Sequence, residues 1–208
     1  AANCRFFAGY PITPASEIME FLAAEFPKVG GTVIQAADEI AACGMALGAS
    51  YTGVRAMTAT SGPGFSLMTE MLSHASMTET PLLIVNVQRV GPSTGMPTKV
   101  SQGDLSNVIY AGNDDSPRIV LAATTIEDCF YLMIHAFNLT EKYQTPVIFL
   151  SDQDMAVRVQ TIEPFDRKRL AEALEKEYLL TPELSAMIAK ETENDAYELS
   201  EKYGTKNF

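Results

Sequence analysis

The 208-residue sequence has no apolar run approaching the roughly 20 residues that cross a bilayer, so neither a transmembrane helix nor a membrane partner is expected. Basic residues are few, 15 Lys and Arg against 26 Asp and Glu. The formal charge of −11 argues against nucleic acid, which recruits basic surfaces. Cysteine is scarce too: Cys4, Cys43 and Cys129 stand far apart in apolar segments, with no C-x-x-C spacing. They read as reduced core thiols of a cytoplasmic protein. Iron-sulfur clusters take about four thiolates, so this chain alone is expected to hold neither a cluster nor a metal. His74 and His135 lie inside helical segments without a partner at metal-ligand spacing, and read as structural. The G-x-G-x-x-G of a dinucleotide fold and the lysine of a P-loop are both missing. No signal peptide is visible. The chain opens without Met on AANCRFF, in mid-element, so an N-terminal piece is expected to be missing.

What is present reads as a globular α/β domain with an appendage, 47% hydrophobic and 20% charged. Strand-like runs at 4–10, 32–37, 55–60, 82–88, 118–123 and 146–152 alternate with helical segments at 15–26, 38–51, 64–79, 104–110 and 125–143. That rhythm predicts a doubly wound, mainly parallel six-stranded sheet. The run LLIVNVQ suits a strand buried on both faces. Thr124 with Glu127 predicts a capping box for the fifth helix. Residues 89–105 form a polar loop too rich in Gly, Pro, Ser and Thr for regular structure. Loops this long in compact domains are usually functional. The domain is expected to span 1–157, and 158–208 to be a charged, helix-prone extension packed against it or a partner.

Four strand ends carry chemistry on the carboxyl rim, where doubly wound sheets bind ligands. They are Tyr10-Pro11-Ile12-Thr13-Pro14, then Glu39, then Thr60-Ser61-Gly62-Pro63-Gly64, and Arg89 with its loop. Glu39 falls in a helix's first turn, where an acid suits the macrodipole. It reads either as a capping acid or as a carboxyl kept from water by Ile40, Ala41, Ala42 and Met45 and so suited to proton transfer. Thr13, mounted between prolines, is either a ligand hydroxyl or a helix cap. Arg89 presents a fork suited to a carboxylate, or pairs with Asp104 across the loop. SGPG could hold an anion, but close packing of the helix start accounts for its glycines more simply.

The segments GYPITPASEI, ADEIAACGMALGASYTGVRAMTATSGPGFSLM, VQRVGPSTGMPT and YQTPVIFLSDQ, in this order, closely resemble the alpha subunit of 2-oxoacid:ferredoxin oxidoreductases, especially the 2-oxoglutarate type. The likeness runs from about Cys4 to Asp166. It implies the pyrimidine-binding domain of a thiamine diphosphate enzyme that decarboxylates a 2-oxoacid oxidatively to acyl-CoA, passing electrons to ferredoxin. By motif, Glu39 matches the acid that bonds the aminopyrimidine, Thr13 and Arg89 match residues facing the 2-oxoacid, and Thr98 matches a substrate-side loop position. Pro11, Ile12, Ser61 and Gly62 are expected to border the cofactor. The G-D-G…N motif for magnesium and diphosphate is missing. A beta subunit is therefore implied to complete the site, with magnesium and an iron-sulfur cluster in a partner subunit or domain, coenzyme A as co-substrate, and gamma or delta subunits as further partners. Alternatives are a pyruvate or branched-chain 2-oxoacid enzyme, or a non-catalytic scaffold of the same fold. The polarity of the Thr98 loop leans toward 2-oxoglutarate. The family's Gly/Pro-rich segment after the sixth strand is absent, so residues are expected to be missing near 180, and a further family domain before Ala1 or in a gamma subunit.

Overall fold

Strands without polar alternation need cover on both faces, and crossover helices supply it. The structure is a computed structural model that describes residues 2–166 and 168–170. Six strands form: β1 (Phe6–Gly9), β2 (Thr32–Gln35), β3 (Ala56–Thr60), β4 (Leu82–Gln88), β5 (Ile119–Ala122) and β6 (Pro146–Asp152). Helices α1 (Ser16–Glu25), α2 (Glu39–Tyr51), α3 (Gly62–Leu67), α4 (Thr69–Met77), α5 (Leu105–Tyr110), α6 (Ile126–Tyr143) and α7 (Gln153–Val157) connect or follow them. The sheet order is β2-β1-β3-β4-β6-β5, and every pairing is parallel. β4 and β6 are paired along their whole length, Leu82 opposite Pro146 and Gln88 opposite Asp152. All of β4 is buried, as its sequence requires.

Alternate residues of this central pair feed two cores. On one face Ile84, Ile148 and Leu150 meet Cys43 and Leu47 of α2, Phe65 of α3, Leu72 of α4 and Val108 of α5. On the other, Leu83, Val85 and Phe149 meet Ile18 and Leu22 of α1 and Phe137 of α6. No described helix is long and apolar enough to cross a membrane.

Three local expectations need correction. The helix expected over 64–79 is two, because Met68 closes a tighter turn, its N–H donating to the Phe65 carbonyl at 3.0 Å. The capping box of α6 sits one residue later: Thr125 Oγ1 accepts from the Asp128 N–H at 3.0 Å, and Asp128 Oδ2 accepts from the Thr124 N–H at 3.0 Å. The shorter acid caps in place of Glu127. The 89–105 loop also has order, since Val90 and Met96 form an antiparallel bridge. Gly95, at φ +54°, lies against the Val90 carbonyl, where a Cβ would collide.

Beyond α7 the chain doubles back along α6. Phe165 stacks on Phe130 with centroids 3.8 Å apart, and the Asp166 N–H donates to the Tyr131 hydroxyl at 2.6 Å. The helices expected over 171–208 and the segment expected to be missing near 180 lie outside the described residues.

Candidate active site

A parallel sheet opens a crevice at its carboxyl edge where successive crossovers diverge. Here that point is between β1 and β3: the chain leaves β1 toward β2 on one side and leaves β3 toward β4 on the other. The β1 end leads into Tyr10–Pro14, the β3 end into Ser61 and α3, and β2 delivers the start of α2 alongside.

The first turn of α2 separates two acids. Asp38 has extended backbone and accepts from the Ala41 N–H at 2.7 Å, so it is the cap. Glu39 is not needed for that role and is only 7% exposed. The expected cover is wrong in part: Ile40 and Met45 point outward, 48% and 41% exposed. A helix's first turn splits its residues among faces, and only Ala42 of that group is fully buried. Glu39 is shielded instead by α3. A Cβ on Gly64 would stand 2.7 Å from Glu39 Oε1 and collide with the Thr60 hydroxyl, so the glycine is what admits the carboxylate. Gly62 does the same for a second acid, with its would-be Cβ 2.9 Å from Asp104 Oδ2. The SGPG glycines thus serve close packing, and what they pack against is two carboxylates. Between them and β3, Ser61 is fully buried with no hydrogen bond to its Oγ among the described residues.

Arg89 directly follows β4 and is 7% exposed. Its Nη1 donates to the Thr13 carbonyl at 2.6 Å and its Nη2 to the Thr94 carbonyl at 2.7 Å, which ties the β1 loop to the β4 loop. Its Nε has no partner among the described residues. Burial lowers the guanidinium's pKa below its ordinary value, while Asp104 and then Glu39 push it back up. The alternative pairing of Arg89 with Asp104 therefore acts through the field, since the bonds go to carbonyls.

The Thr13 hydroxyl does not cap α1, whose N-cap is Ala15 with no side-chain bond. Thr13 and Pro11 are exposed, and Ile12 packs into the α1 core. Thr98 stands on the exposed outer part of the loop. The structure thus gathers Glu39, Ser61, Gly62, Arg89 and the Thr13 backbone; Thr98 is exposed on the loop beside Lys99, whose carbonyl accepts from the Val90 N–H at 3.0 Å.

Sequence reasoning named four strand ends and passed over the other two. A cleft of about 610 Å³ opens at the ends of β4, β5 and β6, bordered by Gln88, Gln102, Thr124, Asp152, Met155 and Arg158. It contains none of the expected site residues. The missed signal was Gln88, a polar residue closing an apolar run. Among the described residues no cluster of three or more His, Cys, Asp or Glu is placed to hold a metal.

The family model described as pyruvate flavodoxin/ferredoxin oxidoreductase, thiamine diP-bdg, matches residues 1–204. The 2-oxoglutarate synthase subunit KorA of Methanothermobacter thermautotrophicus is 48% identical over 169 residues, 81% of this chain and 45% of the relative. Its namesake from Archaeoglobus fulgidus is 53% identical over 152 residues, 73% and 44% of the two chains. A solved 2-oxoglutarate:ferredoxin oxidoreductase from Magnetococcus marinus, with 2-oxoglutarate, coenzyme A and succinyl-CoA bound, is 54% identical at a TM-score of 0.74. That match covers 74% of this chain and 27% of the other. The chain spans less than half the length of these relatives.

Proposed function

The chain belongs to the thiamine diphosphate-binding family of pyruvate flavodoxin/ferredoxin oxidoreductases, and we propose that it supplies the pyrimidine-binding half of a 2-oxoacid:ferredoxin oxidoreductase active site. 2-Oxoglutarate is the favoured substrate, in keeping with the names of the relatives and with the ligands of the Magnetococcus neighbour. Coenzyme A is the acyl acceptor and ferredoxin the electron acceptor. A beta subunit completes the site, and magnesium and the iron-sulfur cluster belong to a partner subunit or domain. Gamma or delta subunits are further partners.

The observation that carries this reading is Glu39: a carboxylate nearly sealed from water, relieved of capping by Asp38 and admitted by Gly64. The residues present fit the cofactor. An aminopyrimidine offers ring and exocyclic nitrogens, and the crevice offers one buried carboxylate and the unpartnered Ser61 Oγ. Bound thiamine diphosphate supplies the carbon nucleophile and electron sink for decarboxylation. Glu39 holds a proton at the pyrimidine ring nitrogen and returns it, Ser61 and Gly62 edge the ring, and Pro11 and Ile12 shape the β1 wall. The Thr13 hydroxyl orients the 2-oxoacid. Arg89 offers its free Nε edge to the acid's carboxylate, while its other donors keep both loops closed against water. Thr98 borders the far end of the substrate.

The test is the assembly with its beta partner, assayed for dye reduction with 2-oxoglutarate, pyruvate and branched 2-oxoacids. Glu39→Gln keeps the shape and removes the charge. It should lower turnover by about 10² or more, as loss of a positioned proton carrier does, with an unchanged melting temperature. Unchanged turnover would reject the role of Glu39, and absence of turnover in the parent assembly would favour the scaffold reading.

A further inference from the structure

We infer that Asp104 is a positioning residue of this site, whose carboxylate opposes a substrate anion at Arg89 and so sets how tightly the 2-oxoacid is held. The inference deepens the proposed function and rests on its placing of the substrate carboxylate at Arg89.

Asp104 closes the 89–105 loop just before α5 and is fixed twice from β4. Its N–H donates to Gln88 Oε1 at 3.0 Å, and its Oδ2 accepts from Asn86 Nδ2 at 3.0 Å. Asn86 is fully buried and Gln88 nearly so. Polar side chains in such a strand are costly unless bonded, and β4 spends both of its polar positions on this one acid. From the β3 side, Gly62 leaves the space that the carboxylate fills; any side chain there would displace it. Gly62 and Gly64, two residues apart, therefore seat Asp104 and Glu39 on the same short segment.

Arg89 directly follows Gln88, and of the two acids Asp104 acts on its guanidinium more strongly than Glu39. Two acids and one guanidinium therefore meet at this corner. An incoming carboxylate meets the attraction of Arg89 reduced by both repulsions, and in a shielded site such charges are weakly screened. The Thr13 and Thr94 carbonyls hold Arg89 in place, and the acid whose field favours its charge is the one that loosens its hold on substrate.

Asp104→Asn removes the charge and leaves an Oδ1 that can still accept from Asn86. In the assembled enzyme the KM for the 2-oxoacid should fall about threefold to tenfold, the scale expected for one charge at intermediate dielectric. The change should appear in KM rather than in kcat. Binding of oxalate, a non-reacting dianion, to the cofactor-free assembly should tighten by the same factor. A merely structural Asp104 would give a lower melting temperature with a raised or unchanged KM. Turnover in the parent with no tightening of KM or oxalate binding overturns the inference alone. Absence of turnover in the parent overturns the functional reading, and oxalate still decides on Asp104. Should Asp104→Asn fail to assemble, Asp104→Ser carries the same comparison.

Discussion

Two arginines lie almost wholly inside this small domain, at opposite edges of one parallel sheet. Arg55 precedes β3 at the amino edge and is 2% exposed; Arg89 follows β4 at the carboxyl edge. Arg55 donates from Nη1 to the Ala2 carbonyl at 2.9 Å and pairs through Nε with Glu141 of α6 at 3.5 Å. Arg89 instead bonds two loop carbonyls and feels Asp104 and Glu39 without an ion pair to either among the described residues. The same side chain thus serves a joint between fixed elements at one edge and a tie between two loops at the other. Burial alone does not mark a functional residue; what matters is whether the charge is already matched by a direct partner.

The largest effect that would break this contrast is on stability. Arg55→Met removes one member of a buried pair and strands Glu141, which costs about 3–5 kcal/mol where both charges are deeply buried. Glu141 keeps some solvent, with its side chain 21% exposed, so the lower end is expected. Denaturant unfolding measures it, and a loss near zero would show that Arg55 is no joint. Arg89→Ala should cost less in folding, about 1–3 kcal/mol for its two carbonyl bonds. It should raise the KM for the 2-oxoacid by roughly 30-fold or more, as removal of a desolvated charge partner does. Arg89→Lys sharpens the point: it keeps the charge but cannot bridge both carbonyls, so a partial KM rise with looser loops is expected. If Arg89→Ala altered folding as much as Arg55→Met and left KM alone, the two arginines would be the same kind of residue.

How far this was legible beforehand follows from which forces act locally. β4 and β6 were readable to the residue because an unbroken apolar run has one solution in an α/β sheet. The strand expected over 4–10 shortened to Phe6–Gly9, since its pairing with β2 runs only over those four residues and its pairing with β3 only over Phe6 and Phe7. The break at Met68 left no Pro or Gly at the point of breakage. Glu39 was identifiable from its place at a strand-to-helix junction, whereas its cover was not, because α3 reaches it only through the tertiary fold. Asp104 was visible only as a possible partner for Arg89. Its anchoring by Asn86 and Gln88 depends on how the long loop returns, which no local pattern encodes.

Thiol chemistry offers a smaller test of the same division. Burial pushes both the Cys43 and the Cys4 thiol up to about 12. Both should stay protonated and resist alkylation at neutral pH in the folded chain, since the thiolate is the reactive form. Rapid iodoacetamide labelling of Cys43 under native conditions would contradict the packing of α2 against β3 and α4.

The smallest expected effect concerns Glu141. Burial raises its pKa above the ordinary 4.5, with Arg55 pulling it back. An acid with a raised folded pKa holds a proton that the unfolded chain has already lost. Its contribution to stability therefore declines as pH rises from about 4.5 through the folded value, the reverse of a salt-bridged carboxylate whose pKa falls. Glu141→Gln cannot ionise, so the difference in unfolding free energy between variant and parent should shift in the variant's favour across that window and level off above it. A shift toward the parent would mean that the pair with Arg55 outweighs desolvation. The amino edge would then contain a net-stabilising ion pair, and its contrast with Arg89 would be one of strength as well as of kind.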